Sequence, residues 1–435
     1  MTATISRPTA VGRKHFSGTR GLAVNGGALI LNVVASGLTG LVFWVLAARV
    51  AAPAVVANAS TAITAIIAVV SLTQQSFVFT LPSLLAVSPA PRRLARNTYA
   101  LSLAITAVVA PVYVVFGPKL AHGLTFLRDA RLGVGFVIGC LVWCLFSLQD
   151  AVLTGVRKAT IVLFENTSWG IVRLALVGTV WAFGVRLGVG WVVAAWIVPA
   201  TALVAGISWY LFASERSPLA HPLGTQTFAR RRLVSFMGAE YAASVLSSVV
   251  TLVGGAYALT TLGASASAPF VTAVSLVIVV EGALASFAQA LAVEACKADD
   301  DVHRRRNLLR LTAALLGGMS FAAVFVAAVG GHRIMGLLGP HYRGAGGTAL
   351  AILMVCVPAR ALGVVSNADN RLRGEGGRNL LQQVVACLVF FGLLLTGRID
   401  SVVSLSWAVV AMRVVPAVLA GFHLRAGRLR VPSAT

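Results

Sequence analysis

Three arginines stand where lipid would be expected. Arg173, Arg360 and Arg413 lie well inside long apolar runs, whereas the other 32 of the 35 Lys and Arg residues fall in the gaps between runs or, like Arg310, at the very start of one. A guanidinium at the centre of a membrane helix costs roughly 2.5 to 3.5 kcal/mol on insertion scales, so each should face protein or water rather than hydrocarbon. Its planar fork of donors suits bidentate binding of phosphate or carboxylate oxygens, which makes a cavity lined by such residues a place for an anion. Acids lie in the same runs at Glu165, Glu240 and Glu281. They offer either interhelical salt bridges to the arginines or carboxyl groups that exchange a proton when buried.

The spacing around these residues builds polar faces on otherwise apolar segments. Glu165, Trp169 and Arg173 follow one another at i, i+4 and i+8; Arg360 precedes Asn367 by seven and Arg413 follows Ser406 by seven. Asn25, Asn32, Ser36 and Thr39 mark the first run, Glu240, Ser244, Ser247 and Thr251 the seventh, and Glu281, Ala285 and Gln289 one face of the eighth. Ser and Thr stripes also serve as packing seams between membrane helices, so the Asn, Glu and Arg members carry the cavity reading.

The elements that must hold these residues are membrane helices. The chain has 435 residues, 58% hydrophobic and 11% charged, with a mean hydropathy of +0.88, which is far more apolar surface than one soluble core hides. Spanning a hydrocarbon layer of about 30 Å takes roughly 20 helical residues. Twelve runs meet that length: 22–48, 54–81, 99–116, 132–156, 161–185, 189–212, 233–262, 268–293, 308–329, 345–365, 380–395 and 402–424. They are continuous rather than alternating, which excludes the strands of roughly ten residues used by a barrel. The expected fold is therefore all-α, a polytopic membrane protein in which Arg173 and Arg413 lie near mid-membrane and Arg360 nearer the cytoplasmic side.

Loop charge orients the chain. With the N-terminus inside, the inner segments carry 24 basic residues and the outer loops 8, as the positive-inside rule requires, and both termini are expected in the cytoplasm. The net charge of +22 is spread over seven inner segments with no aromatic-interleaved basic domain, so anionic lipid headgroups explain it better than nucleic acid. The first run is too long for the apolar core of a signal peptide and reads as a retained helix. Five cysteines, Cys140, Cys144, Cys296, Cys356 and Cys387, lie in or beside runs without further ligands and read as packing residues rather than a metal site. No Walker A pattern, catalytic constellation or cofactor motif occurs, so neither an enzyme nor an ATP-driven pump is expected.

A polar stretch after the sixth run divides the chain into a basic tail (1–20), a first six-helix lobe (21–213), a linker (214–232), a second six-helix lobe (233–424) and a second tail (425–435). The halves echo one another. Asp150 precedes Gly155 by five at the inner end of the fourth run, Asp369 precedes Gly374 by five at the inner end of the tenth, and basic residues surround both. A looser echo links the ends of the first and seventh runs, each expected to pass through a short small-residue loop into the next helix. Six spans per half make the repeats parallel about an axis along the membrane normal, enclosing a central cavity that opens to alternate sides as one lobe rocks against the other.

Three segments resemble a known group of proteins: LAARVAAPAVVANASTAITA at 46–65, LFSLQDAVLTGVRKATIVLFENTSWGIVRLALV at 145–177 and LLGPHYRGAGGTALAIL at 337–353. The chain resembles the polysaccharide-biosynthesis membrane proteins of the multidrug/oligosaccharidyl-lipid/polysaccharide exporter superfamily, nearest to the Wzx-like flippases. The resemblance implies two six-helix lobes, alternating access, and transfer of a polyprenyl-pyrophosphate-linked oligosaccharide from the inner to the outer leaflet of the cell membrane. Its partners would be that lipid-linked glycan, membrane lipids, and the glycosyltransferases and polymerase of the same pathway. By analogy with that family and the related lipid II flippase, Arg173, Arg360 and Arg413 hold the pyrophosphate, with Asn32 and Trp169 beside them. Glu240, Glu281 and Glu165 are left for ion coupling or salt bridges. Two other readings stand beside it. One is an ion-coupled drug or metabolite antiporter of the same superfamily, whose cationic substrates call for acids and aromatics; the other is a non-transporting envelope-assembly scaffold.

Overall fold

A computed structural model describes residues 15–120, 122–183, 188–224, 230–296, 302–372 and 375–427. All regular structure among them is helical. The first half supplies α1 (His15–Val50), α2 (Pro53–Val87), α3 (Pro91–Leu120), a 3-10 turn (His122–Arg128), α4 (Ala130–Gly155), α5 (Ala159–Ala182) and α6 (Val189–Phe212). The second supplies α7 (Arg230–Cys296), α8 (Val302–Gly336), α9 (Pro340–Met354), α10 (Val357–Leu372), α11 (Gly376–Leu395) and α12 (Val402–Gly427).

The starts of these helices follow from local chemistry. Proline opens α2, α3 and α9, where its missing N–H is not needed. Asp129 caps α4, its Oδ1 accepting from the backbone N–H of Arg131 at 2.8 Å and of Leu132 at 3.2 Å. Large apolar side chains face outward, among them Val108, Phe164, Phe321 and Leu388, while Gln149, Glu165, Thr106 and Ser366 are fully buried. That inversion of the soluble pattern belongs to a multi-pass membrane protein, in which lipid replaces water as the outer solvent. Ten helices among the described residues are long and apolar enough to span, or eleven when the bent pair α9 and α10 counts as one.

The twelve expected spans differ from this count at two places. The run 233–262 is helical, but several of its side chains lie outside the described residues and it does not enter the count. The run 345–365 is not one helix. It breaks between α9 and α10 with a bend of 41°, because Pro358 has no N–H to continue the ladder and its ring clashes with the preceding turn. Pro358 instead sits in the first turn of α10, where it is tolerated.

Between the seventh and eighth runs, where a short loop is expected, α7 consists of two helices joined by a kink at Gly263, whose φ of 77° is one that glycine adopts readily. Of the second Asp–Gly echo, Asp369 lies in α10 and Gly374 lies outside the described residues.

Helices α1 to α6 pack on one another, with α1 against α5 and α2 against α3 and α4; α9, α10 and α11 pack on α7, and α12 on α10 and α11. The two sets meet along α7, which touches both α1 and α2.

Candidate functional site

The break before α10 decides the position of Arg360. Because the helix restarts at Val357, Arg360 lies in its first turn, with its backbone N–H donating to Cys356 at 2.8 Å. From there its Nε comes within 3.7 Å of Glu281 Oε2 on the second arm of α7. Arg413 in α12 reaches the same oxygen through a terminal nitrogen at 3.3 Å. One buried carboxylate thus neutralises part of the charge of two arginines from different helices. Glu281 Oε1 and Arg413 Nε have no hydrogen-bond partner.

Both guanidiniums line a cavity of about 50 Å³ whose other walls include Asn367, Gln382, Gln383 and Met412. A second cavity, of about 120 Å³, shares Arg360, Asn367, Asn379 and Gln383 with it and extends to α2, where Gln75, Phe79, Pro82 and Ser83 close it. Its α7 wall is made of Glu240, Ser244, Ser247, Ala285 and Gln289. This chamber therefore lies between the two sets of helices, and amide and hydroxyl groups dominate its polar lining. Glu240 is not a free acid in it: the Asn379 amide donates to its Oε1, and Asn370 donates in turn to Asn379 Oδ1 at 2.8 Å. Glu281 lies behind the arginines, outside both linings.

Arg173 does not join them. It is 3% exposed in α5, its guanidinium stacked 3.8 Å from the Trp169 ring centroid and 5.3 Å from that of Phe43, and it donates to Thr39 Oγ1 at 3.2 Å. This seat depends on Gly170, where a Cβ would come within 2.6 Å of Thr39 Oγ1. Trp169 in turn donates from Nε1 to the Trp196 carbonyl at 2.9 Å and packs on Trp143 and Phe146. The expectation of one pocket holding all three arginines is thereby corrected. An arginine in low dielectric can be held by aromatic faces and a hydroxyl, and the α1–α5 packing supplies both in the first half.

The remaining expected residues divide as follows. Asn32 is half-buried on α1 with its side-chain carbonyl lacking a partner. Glu165 shares a stripe with Trp169 and Arg173 in sequence, yet it is fully buried with neither carboxylate oxygen hydrogen-bonded, and the Arg173 guanidinium is seated on Trp169 and Thr39. Ser406 returns its hydroxyl to the Val402 carbonyl at 2.7 Å and lines neither cavity. Arg360 with Asn367, and Ala285 with Gln289, do face the chamber together, as their spacing predicts. Sequence reasoning passed over Gln75, Asn379, Gln382 and Gln383. Three of these sit at i, i+3 and i+4 on α11, a legible pattern that carries no charge to draw the eye.

No family model matches the chain, and no curated protein sequence does. Solved structures match its fold. A MATE structure in complex with MaL6 superposes with a TM-score of 0.78 at 12% identity, over 95% of this chain and 98% of the other. A variant of the Vibrio cholerae MATE transporter VcmN gives 0.78 at 13% identity, over 95% and 98%. A transporter of the MOP superfamily from Pyrococcus furiosus, described as having a binding pocket of reverse polarity that suggests a different function, gives 0.77 at 14% identity, over 94% and 96%. The chain has the fold of these proteins.

Proposed function

We propose that this protein is an alternating-access transporter that moves a polyprenyl-diphosphate-linked oligosaccharide from the inner to the outer leaflet of the cell membrane. The observation that carries the reading is the pairing of Arg360 and Arg413 on the wall of the smaller cavity, whose other lining residues are uncharged. Two guanidiniums from different helices converge on one side of a cavity, and a diphosphate offers enough oxygens to meet both. The amide-rich chamber next to them, lined by Gln75, Asn367, Asn379 and Gln383, suits sugar hydroxyls, which both donate and accept.

At about 120 Å³ the chamber is smaller than the roughly 300 to 1,000 Å³ of ordinary ligand sites. The substrate therefore enters a wider state, reached as the helices of the two halves separate along α7. Arg173 takes part as a fixed positive centre between α1 and α5.

The second reading, an ion-coupled exporter of cationic drugs, draws on the MATE transporters that share the fold and on the aromatic cluster of Trp143, Trp169 and Trp196. The two arginines on the smaller cavity disfavour it, and the reversed polarity noted for the Pyrococcus furiosus protein is a precedent for this fold carrying another task. Purified protein in proteoliposomes separates the two. A fluorescent polyprenyl-diphosphate sugar should move between leaflets, and a cationic dye should not be extruded under a proton or sodium gradient. Dye extrusion without lipid movement would reverse the assignment.

A further inference from the structure

After α6 the chain turns back onto the turn between α2 and α3 before it leads on to α7. Leu219 is buried there, and the Ser217 hydroxyl donates to the Leu211 carbonyl at 2.5 Å. The backbone N–H groups of Leu223 and Gly224 donate to the Ser88 carbonyl at 3.0 and 3.2 Å. A Cβ at Gly224 would lie 2.5 Å from the Val87 carbonyl oxygen, so this strap runs directly against the end of α2. Arg92 ties the same corner together from α3, donating to the Phe212 carbonyl at the end of α6.

Between the strap and α3 lies an open pocket of about 420 Å³, which shares no lining residue with either cavity described above. Arg92, Arg93 and Arg96 line it from the first two turns of α3, and Ala220, His221 and Pro222 line it from the strap. All three arginines are exposed, and none forms an ion pair among the described residues. Acids to neutralise them are missing nearby: α2, α3 and α6 carry none, and Glu215, the one acid in 213–224, does not line the pocket. Like charges three and four residues apart on a helix repel one another. An anion held among them removes that repulsion.

We infer that this pocket binds the phosphate group of an organic phosphate ester, bridging α3 and the strap. Arg93 and Arg96 offer planar donor forks to the phosphate oxygens, while Arg92, engaged with Phe212, fixes the spacing of α3 from the end of α6. The volume falls within the roughly 300 to 1,000 Å³ of ordinary ligand sites, so it leaves room for the organic part beside the rings of Pro89, Pro91 and Pro222. Loop charge predicts that this end of the bundle is cytoplasmic. The ester therefore comes either from the headgroup of an anionic phospholipid in the inner leaflet or from a soluble phosphate ester. The site does not rest on the transport reading above.

Titration of the purified full chain in uncharged detergent, at constant ionic strength, tests it. The probes are short-chain phosphatidylglycerol, phosphatidylcholine of the same chain length, and glycerol 3-phosphate, with binding read from the thermal midpoint and from hydrogen–deuterium exchange. Phosphatidylglycerol or glycerol 3-phosphate should stabilise the protein saturably and slow exchange in 217–224 and in the first two turns of α3. Binding of the lipid alone identifies a membrane source, and binding of glycerol 3-phosphate a soluble one. Arg93→Gln with Arg96→Gln should weaken binding about tenfold or more. Arg333→Gln with Arg343→Gln, an equal loss of exposed charge around the turn between α8 and α9, should leave it unchanged. Ala220→Trp fills the pocket with its charge intact and should also weaken binding, which covers the case in which the first pair does not fold. Equal weakening by both arginine pairs, equal binding of phosphatidylcholine, protection confined to other segments, or no saturable binding of any probe would overturn the site.

Discussion

Glu281 is the residue on which the candidate anion site turns, because it holds two mutually repelling guanidiniums at 3.7 and 3.3 Å from one oxygen. Removing one partner of a buried ion pair leaves the rest uncompensated and typically costs about 3 to 5 kcal/mol. Glu281→Ala should therefore lower the thermal unfolding midpoint sharply, whereas Glu375→Ala, whose partner Arg378 is partly exposed, should leave it within a degree or two. Scanning fluorimetry in detergent measures both. At this scale the sequence told a good deal. Charged residues inside apolar runs announced themselves, and the salt-bridge alternative for Arg360 and Arg413 was legible. Which acid met which arginine was not, since pairing depends on helix rotation and neighbour order. Arg173 shows the limit: its stripe marked a polar, aromatic face, and the packing of α1 added Thr39 and Phe43 to it, which no spacing reveals.

Two elements position the site, and each makes a prediction. The break before α10 arises from Pro358 and sets Arg360 in the first turn of a helix bent 41° from α9. Pro358→Ala lets the ladder run through, so spin-label distances between the two helices should report a straighter segment, and flipping should slow because Arg360 moves relative to Arg413. Unchanged distances would show that packing rather than proline makes the bend. The α1–α5 contact depends on the bare backbone at Gly170. Gly170→Ala brings a methyl group to 2.6 Å from Thr39 Oγ1 and should cost about 1 to 3 kcal/mol of stability. Adding Thr39→Ala should restore part of it, as a non-additive pair in a thermal melt. Continuous apolar runs made the helices readable to within a few residues, and the junction at Gly263 fell between two of them, but they hid the break between α9 and α10. A proline inside a run can kink, start or merely decorate a helix, and Gly263 between runs suggested a loop where one strained residue suffices.

For the whole molecule, loop charge predicts inner ends rich in Arg and Lys, and helix packing places a chamber where the two halves meet along α7. Substituted cysteines test the orientation against a low background, because Cys140, Cys144, Cys356 and Cys387 are buried. In a Cys296→Ser host, a membrane-impermeant maleimide added outside intact cells should label Lys119→Cys and Arg398→Cys. Arg93→Cys and Arg216→Cys should react only after permeabilisation, and the opposite pattern would invert the topology. The most direct measurement is the initial flipping rate of a fluorescent polyprenyl-diphosphate sugar in proteoliposomes of equal protein content. Each charge-assisted hydrogen bond to the diphosphate is worth about 1.5 to 3 kcal/mol, so Arg360→Ala and Arg413→Ala should each slow flipping by about tenfold or more. Rates within twofold of wild type for both variants would contradict the assignment of these two arginines to the substrate.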